Sequence, residues 1–356
     1  MPPVMGAAAF LIATFLGLPY AAVVLAALGP AILYYVGLFM QIDLEAAKQG
    51  IRGLPFEEIP SFKRTMLEGW LFIIPVLVII YTLFVIFADP DMAGLYAAGS
   101  AFAVAMCKKA SRLNTRKLLA ILEKAGEALL DILVIAAVAG LVIGVVFLTG
   151  LGFAFSQWLS EIAGANLFLL LAMVAVAAIV LGMGMTVTAA YIIVAILLAP
   201  ALVQVGVDPL LAHLFIFYFA VMSFVTPPIS VAAYTAASIA NSGPLRTAFQ
   251  AMRLGIVAYL VPFAFVFNPA LVLKGTPVEI ISSVVLAVLG VITVAVGLEG
   301  YLRHNLDWFT RTMFFAGGIG LLSPIWVLRG IGVAIILLGL FIQWRRGRST
   351  PAMAPG

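Results

Sequence analysis

The chain has 356 residues, 65% of them hydrophobic and only 10% charged, with a mean hydropathy of +1.22. A soluble domain carries about 25% charged residues, so the composition excludes one and indicates a polytopic membrane protein. The single cysteine, Cys107, excludes an intrachain disulfide and a cysteine-cluster metal site and reads as a packing residue.

Segment 1–16 lacks a basic n-region and a small-residue cleavage site, so it belongs to the membrane domain and is not a removable signal. A helix needs about 20 apolar residues to cross a bilayer. Candidate segments follow at 20–41, 69–88, 92–107, 131–158, 166–183, 184–200, 209–225, 245–268, 278–298, 309–323 and 326–344, several too short to cross fully. Segments 1–16, 184–200 and 228–240 are interrupted by Gly, Pro or Thr. Such interruptions suit half-helices or re-entrant hairpins, tolerated only where protein or a water-filled cavity satisfies the freed backbone. The polar breaks are 42–68 and 108–126, and the tail 345–356 reads as disordered. The expected fold is all-α, a polytopic membrane protein of roughly 8–11 membrane segments with re-entrant hairpins and inverted repeats.

Lys and Arg placement sets the orientation. The 108–126 loop holds Lys108, Lys109, Arg112, Arg116, Lys117 and Lys124, the 42–68 loop Lys48, Arg52, Lys63 and Arg64, and the tail Arg345, Arg346 and Arg348. All three regions are expected in the cytoplasm, with Asp89-Pro90-Asp91 outside. These anchors account for the net charge of +4, so nucleic acid is not implied. Pro2-Pro3-Val4-Met5-Gly6-Ala7-Ala8 and Pro227-Pro228-Ile229-Ser230-Val231-Ala232-Ala233 share one pattern, and each has a proline sixteen residues past its second proline, Pro19 and Pro244. Tyr34 and Tyr259 also align. The charge rule makes the following helices cross in opposite senses, an inverted-topology repeat that points to alternating access. Chance matches in an Ala-rich chain are the competing explanation.

From Ile132 to Val207 the only ionisable residue is Glu161, placed in an interhelical turn, so no relay of buried carboxylates is visible there. The region instead offers Gly182-Met183-Gly184-Met185-Thr186-Val187-Thr188, then Pro200, with Ser223 and Thr226 just before Pro227-Pro228. Gly and Pro free backbone carbonyls, and Ser and Thr add hydroxyl oxygens. Together with half-helix C-termini these coordinate a hard cation such as Na⁺, while half-helix N-termini face an anionic substrate. The alternative is that the small residues serve close helix packing.

The runs Gly182–Thr188, Leu198-Ala199-Pro200-Ala201-Leu202, His213–Phe219 and Ser223–Pro228 resemble the second half of the large, DctM-like permease subunit of TRAP transporters, the tripartite ATP-independent periplasmic transporters. The opening Met1–Phe10 and Leu54-Pro55 resemble more narrowly the fused permeases that work with TAXI-type periplasmic binding proteins. The resemblance spans roughly residues 1–300. It implies a sodium-coupled, elevator-type importer of small organic acids or amino acids in the cytoplasmic (inner) membrane, supplied by a periplasmic binding protein. Gly182, Gly184, Thr186 and Thr188 match the polar entry to the outer hairpin; Thr226, Pro227 and Pro228 match its helix break; and Pro2 and Pro3 match the equivalent break of the first repeat. Met1 falls where the family pattern has an internal methionine. The chain is therefore expected to be the C-terminal portion of a fused permease, partnered by the remaining N-terminal portion or a small membrane subunit. The expected organisation is 1–41, remainder of the first repeat; 42–126, connector and scaffold helices; 127–268, second repeat; 269–344, additional membrane helices; and 345–356, cytoplasmic tail.

Other features are weaker. His213 and His304 lack metal-ligand spacing, and no phosphate loop is present, so no cofactor beyond Na⁺ is expected. Proton coupling stays open. Asp131 reads as an interfacial charge or an ion-path carboxylate, and Glu57-Glu58 with Lys63-Arg64 as the solvated face of an interfacial connector. Trp70, Trp158 and Trp326 read as interfacial anchors. Two further readings compete with a transporter: a non-transporting assembly subunit, and a membrane-embedded enzyme, for which the clustered Asp, His or Arg at one membrane face are missing.

Overall fold

Apolar composition without strand-like alternation leaves helices as the way to satisfy the backbone in lipid, and the computed structural model is helical accordingly. It describes residues 6–51, 53–86, 88, 90–107, 112–164 and 166–349. The Pro2-Pro3 motif, Arg52, Asp89, Lys108, Lys109 and the tail beyond 349 lie outside these. In chain order the helices are α1 (Ala7–Leu16), α2 (Tyr20–Gln49), α3 (Phe62–Gly69), α4 (Ile74–Phe84), α5 (Pro90–Cys107), α6 (Thr115–Thr149), α7 (Leu151–Ala163) and α8 (Leu167–Gly182). The rest are α9 (Val187–Gln204), α10 (Pro209–Met222), α11 (Val231–Ile239), α12 (Pro244–Leu254), α13 (Ile256–Phe267), α14 (Pro277–Glu299), α15 (Trp308–Leu322) and α16 (Trp326–Ser349). Among the described residues five spans are long and apolar enough to cross a membrane: α2, α9, the pair α12–α13, α14 and α16. Shorter apolar helices include α1, α8 and α10.

The described parts of the expected membrane segments are mostly helical, and four readings of the sequence are corrected. Segment 131–158 is not one helix: Gly150 adopts a left-handed φ of 65°, and α7 turns 66° away from Gly140–Val146. Segment 184–200 is not a half-helix, since α9 runs through Pro200 to Gln204. Glu161 lies in the last turn of α7, not in a loop. Cys107 is exposed at the end of α5, so it is not a packing residue. Helix α3 is amphipathic, with Phe62 and Leu67 exposed beside Lys63 and Arg64.

The core sits where α9 and α10 pack on α1, α8 and α13, with α2 joined to it through α1 and α13. Tyr191, Leu198 and Leu202 of α9 and Phe215 and Phe219 of α10 are fully buried. Phe263 of α13 packs against both Phe215 and Phe219, with ring centroids 5.3 and 5.7 Å apart and near-perpendicular planes, the edge-to-face arrangement that aromatic quadrupoles favour. His213 of α10 is tied into this core by its Nδ1, 2.7 Å from the Tyr191 hydroxyl.

Helix α2 extends past 41, where polarity suggested an exit from the membrane. Its polar residues cover one face and are used internally. Gln41 is fully buried and its Nε2 donates to the Leu254 carbonyl at 2.7 Å. Lys48 Nζ donates to the Glu299 carbonyl at 2.8 Å, and Arg253 pairs with the buried Glu299 carboxylate while lying 3.7 Å from Glu45. This cluster ties α2, α12 and α14 together at one end of the molecule.

Candidate functional site

Helices α8 and α9 form a hairpin whose tip is 183–186. Gly184 turns the chain with φ of 80°, a conformation that costs an L side chain about 1 kcal/mol or more. Thr186 then starts α9, its Oγ1 accepting from the Ala189 amide at 3.4 Å, so this hydroxyl is an N-cap. Thr188 lies half-buried in the first turn of α9.

The second interruption, 223–230, separates α10 from α11. Ser223 is buried and its Oγ donates to the Ala220 carbonyl at 2.6 Å. Thr226 Oγ1 lies 2.6 Å from the Met222 carbonyl and 2.7 Å from the Tyr259 hydroxyl on α13. The Pro227–Pro228 peptide is cis. The chain re-enters a helix through Ser230, whose φ of 36° is left-handed and whose buried Oγ has no partner among the described residues. A strained non-glycine backbone holding an unsatisfied buried hydroxyl is the kind of feature that collects at ligand sites.

The two interruptions meet. A Cβ on Gly182 would lie 3.0 Å from Ser223 Oγ and 3.1 Å from the Ala220 carbonyl, and one on Gly184 would touch Ile229. The glycine therefore permits the approach of the α8 terminus to the α10 terminus. Gly182, Gly184, Ser223, Thr226, Pro227 and Pro228 thus share one region, with Thr186 and Thr188 at its edge. Pro2 and Pro3 lie outside the described residues. In the structure Thr186 caps a helix, and Gly182 lets α8 pack closely on α10.

Beside this region is a cavity of about 480 Å³ lined by Tyr34 of α2, Val187 of α9, Tyr218 of α10, Phe224 and Val225 of the second break, and Ala232 of α11. Its size and largely apolar lining with a few hydroxyls are those of a small-molecule pocket. Of the aligned tyrosines of the two sequence repeats, Tyr34 lines this cavity, while Tyr259 joins the second break through Thr226. A larger cavity, about 690 Å³, lies at the α1–α2 turn against Leu83, away from both breaks. We take the smaller one as the candidate because polar groups and broken backbone meet there.

Sequence reasoning missed Ser230 and the pairing of Tyr259 with Thr226. The Pro-Pro repeat held the signal for both, since Ser230 falls within the motif and Tyr259 at its aligned position. The arrangement supplies hydroxyl oxygens and helix termini for an ion and a small polar ligand, and no nucleophile–base pair. Among the described residues no group of His, Cys, Asp and Glu could hold a metal ion.

No curated protein and no solved structure matches the chain. The family model for "Tripartite ATP-independent periplasmic transporter, DctM component" matches residues 1–280, which include the hairpin tip, the second break and every helix lining the candidate cavity. By that match, over well more than half its length, the chain belongs to the DctM family: it is a membrane permease component of a TRAP transporter, a family that implies a periplasmic substrate-binding protein as partner.

Proposed function

We propose that this permease is a sodium-coupled importer of small organic acids or amino acids, supplied by a TAXI-type periplasmic binding protein. The observation that carries the reading is the meeting of the two broken segments, Gly182–Thr186 and Ser223–Ser230, beside a 480 Å³ cavity. Hydroxyl and carbonyl oxygens without a carboxylate favour a hard monovalent cation over a proton, and broken helix ends favour an anionic ligand. The two repeats, 1–41 and 127–268, frame the site, and elevator-like movement of the α8–α11 region would alternate its access. In this reading the permease sits in the inner membrane with the 42–68 and 108–126 connectors and the C-terminus in the cytoplasm.

Thr226→Val tests it. The change keeps the shape and removes one hydroxyl bonded to Tyr259, worth about 1 kcal/mol to the resting fold. Reconstituted with its binding protein, the native permease should show uptake that requires a sodium gradient. The variant should insert normally yet lose uptake at least tenfold, with a higher sodium concentration needed for half-maximal rate. Undiminished, sodium-independent uptake by the variant would refute both the site and the coupling ion. Uptake driven by a proton gradient alone would replace Na⁺ with H⁺ and keep the site.

A further inference from the structure

At the end of α14 opposite Glu299, a cavity of about 320 Å³ opens between α14, α16 and the turn at 268–270. Half of its lining, including Arg329, lies beyond residue 280, outside the family match. We propose that this cavity binds the phosphate group of a membrane phospholipid.

Arg329 carries the argument. It is only 5% exposed, and a buried guanidinium is costly unless an anion accompanies it. Its Nε donates to the Ser323 carbonyl at 2.7 Å, its Nη2 to Ser283 Oγ at 3.3 Å, and its ring-facing carbon lies 4.8 Å over Trp326. A guanidinium has five N–H donors, so these bonds leave most of its fork free at the cavity wall. Among the described residues no carboxylate pairs with it. The two other charges lining the cavity are already engaged. Lys274 Nζ is 2.7 Å from Asp208, and Glu279 Oε2 accepts from the Thr276 amide at 2.9 Å in the capping box of α14. The missing partner is a planar-fork acceptor, and phosphate geometry suits it.

The surroundings identify the source of that phosphate. Helix α16 is the least buried of the five candidate spans, with 17% of its apolar window covered. Trp326, which lines the cavity, and its chain neighbours Ile325 and Val327 are all more than half exposed. An apolar, outward-facing rim with a tryptophan beside a buried arginine is the pattern of a headgroup site at a membrane interface, where acyl chains lie along the helix and the phosphate turns inward.

The test uses the full chain purified in detergent and stripped of lipid. Thermal unfolding is followed with added phosphatidylglycerol, diacylglycerol or inorganic phosphate, since a ligand that binds only the folded state raises the midpoint. Phosphatidylglycerol should raise it by a few degrees, diacylglycerol and inorganic phosphate should not, and Arg329→Gln should abolish the shift. An equal, Arg329-dependent shift with inorganic phosphate would overturn the lipid assignment; no shift with phosphatidylglycerol, or one retained in Arg329→Gln, would overturn the site. Should Arg329→Gln not accumulate, wild-type protein is labelled with a headgroup-photoactivatable phosphatidylglycerol. Cross-links within 274–283 and 323–329 support the site, and cross-links confined elsewhere refute it.

Discussion

Glu299 closes α14 with its side chain fully buried, a position an isolated carboxylate could not hold. Arg253 compensates it, and Lys48 ties down the carbonyl of the same residue. Removing one member of a fully buried pair costs about 3–5 kcal/mol; here Arg253 keeps 36% of its side chain exposed, so water takes over part of the loss. Glu299→Ala should therefore destabilise the protein by about 2 kcal/mol, read as a lower thermal midpoint in detergent, the loss being limited because Arg253 keeps Glu45, 3.7 Å away, as a partner. Unchanged stability in Glu299→Ala would mean that the pair contributes nothing. This cluster was not legible in the sequence. Lys48 and Glu299 stand 251 residues apart, and each read alone as a polar helix end. Ser223 and Thr226 were legible because their signal is local: glycines and prolines that break helices mark themselves whatever packs around them. Ser230 belongs between the two, since its residue type was visible in the motif and its left-handed, buried setting was not.

Helix by helix, the apolar segments stand where hydropathy put them, because the need to satisfy every amide internally leaves short-range sequence in control. Boundaries failed where tertiary contacts override composition, as in α2, whose polar last turns are enclosed by α12 and α14. The junction between α9 and α10 shows the reverse case, a boundary set by local chemistry. Asp208 caps α10, its Oδ1 accepting from the Leu210 and Leu211 amides at 3.0 and 3.3 Å, while its Oδ2 meets Lys274. Partial burial pushes the Asp208 carboxyl up, but the Lys274 ammonium and the two amides outweigh it and hold it below the ordinary value. A carboxyl depressed in the folded state stabilises the fold above its unfolded pKa of about 3.9, and that contribution disappears as pH falls through the lower folded value. Asp208→Asn retains a capping side chain and loses the charge. It should be less stable than the wild type at neutral pH by under about 1 kcal/mol, as an exposed pair predicts, and the difference should vanish once pH has fallen below the depressed folded value. A stability difference that stays constant from neutral to acid pH would remove the ion pair from the account.

At the scale of the whole molecule, the repeat links a sequence pattern to a shared site. Pro19 stands immediately before α2 and Pro244 begins α12; of the aligned tyrosines, Tyr34 lines the candidate cavity and Tyr259 holds Thr226 of the second break. Helices α15 and α16 lie beyond the family match, and glycines bring their backbones close to α14 and to each other beside the buried Phe314, Leu321 and Leu322. In lipid this is expected, because helices associate by close backbone contact when there is no difference in apolarity to drive them together. Two glycines separate that packing term from helix propensity. A Cβ on Gly318 would lie 2.6 Å from the Gly290 carbonyl and 2.7 Å from Thr293 Oγ1 and Val294 Cγ2, forcing α15 away from α14, whereas one on Gly330 of α16 meets nothing within 4 Å. Alanine gains about 1 kcal/mol of helix propensity over glycine at either position, and overpacking costs about 1–3 kcal/mol where the neighbour is backbone. Gly330→Ala should therefore raise the thermal midpoint, while Gly318→Ala should lower it and expose the 301–306 link between α14 and α15 to protease. Equal shifts in the two variants would show that α15 is not held by this contact, and that the C-terminal helices depend instead on Arg329 and on the Arg311 bonds to the Gly297 and Leu298 carbonyls.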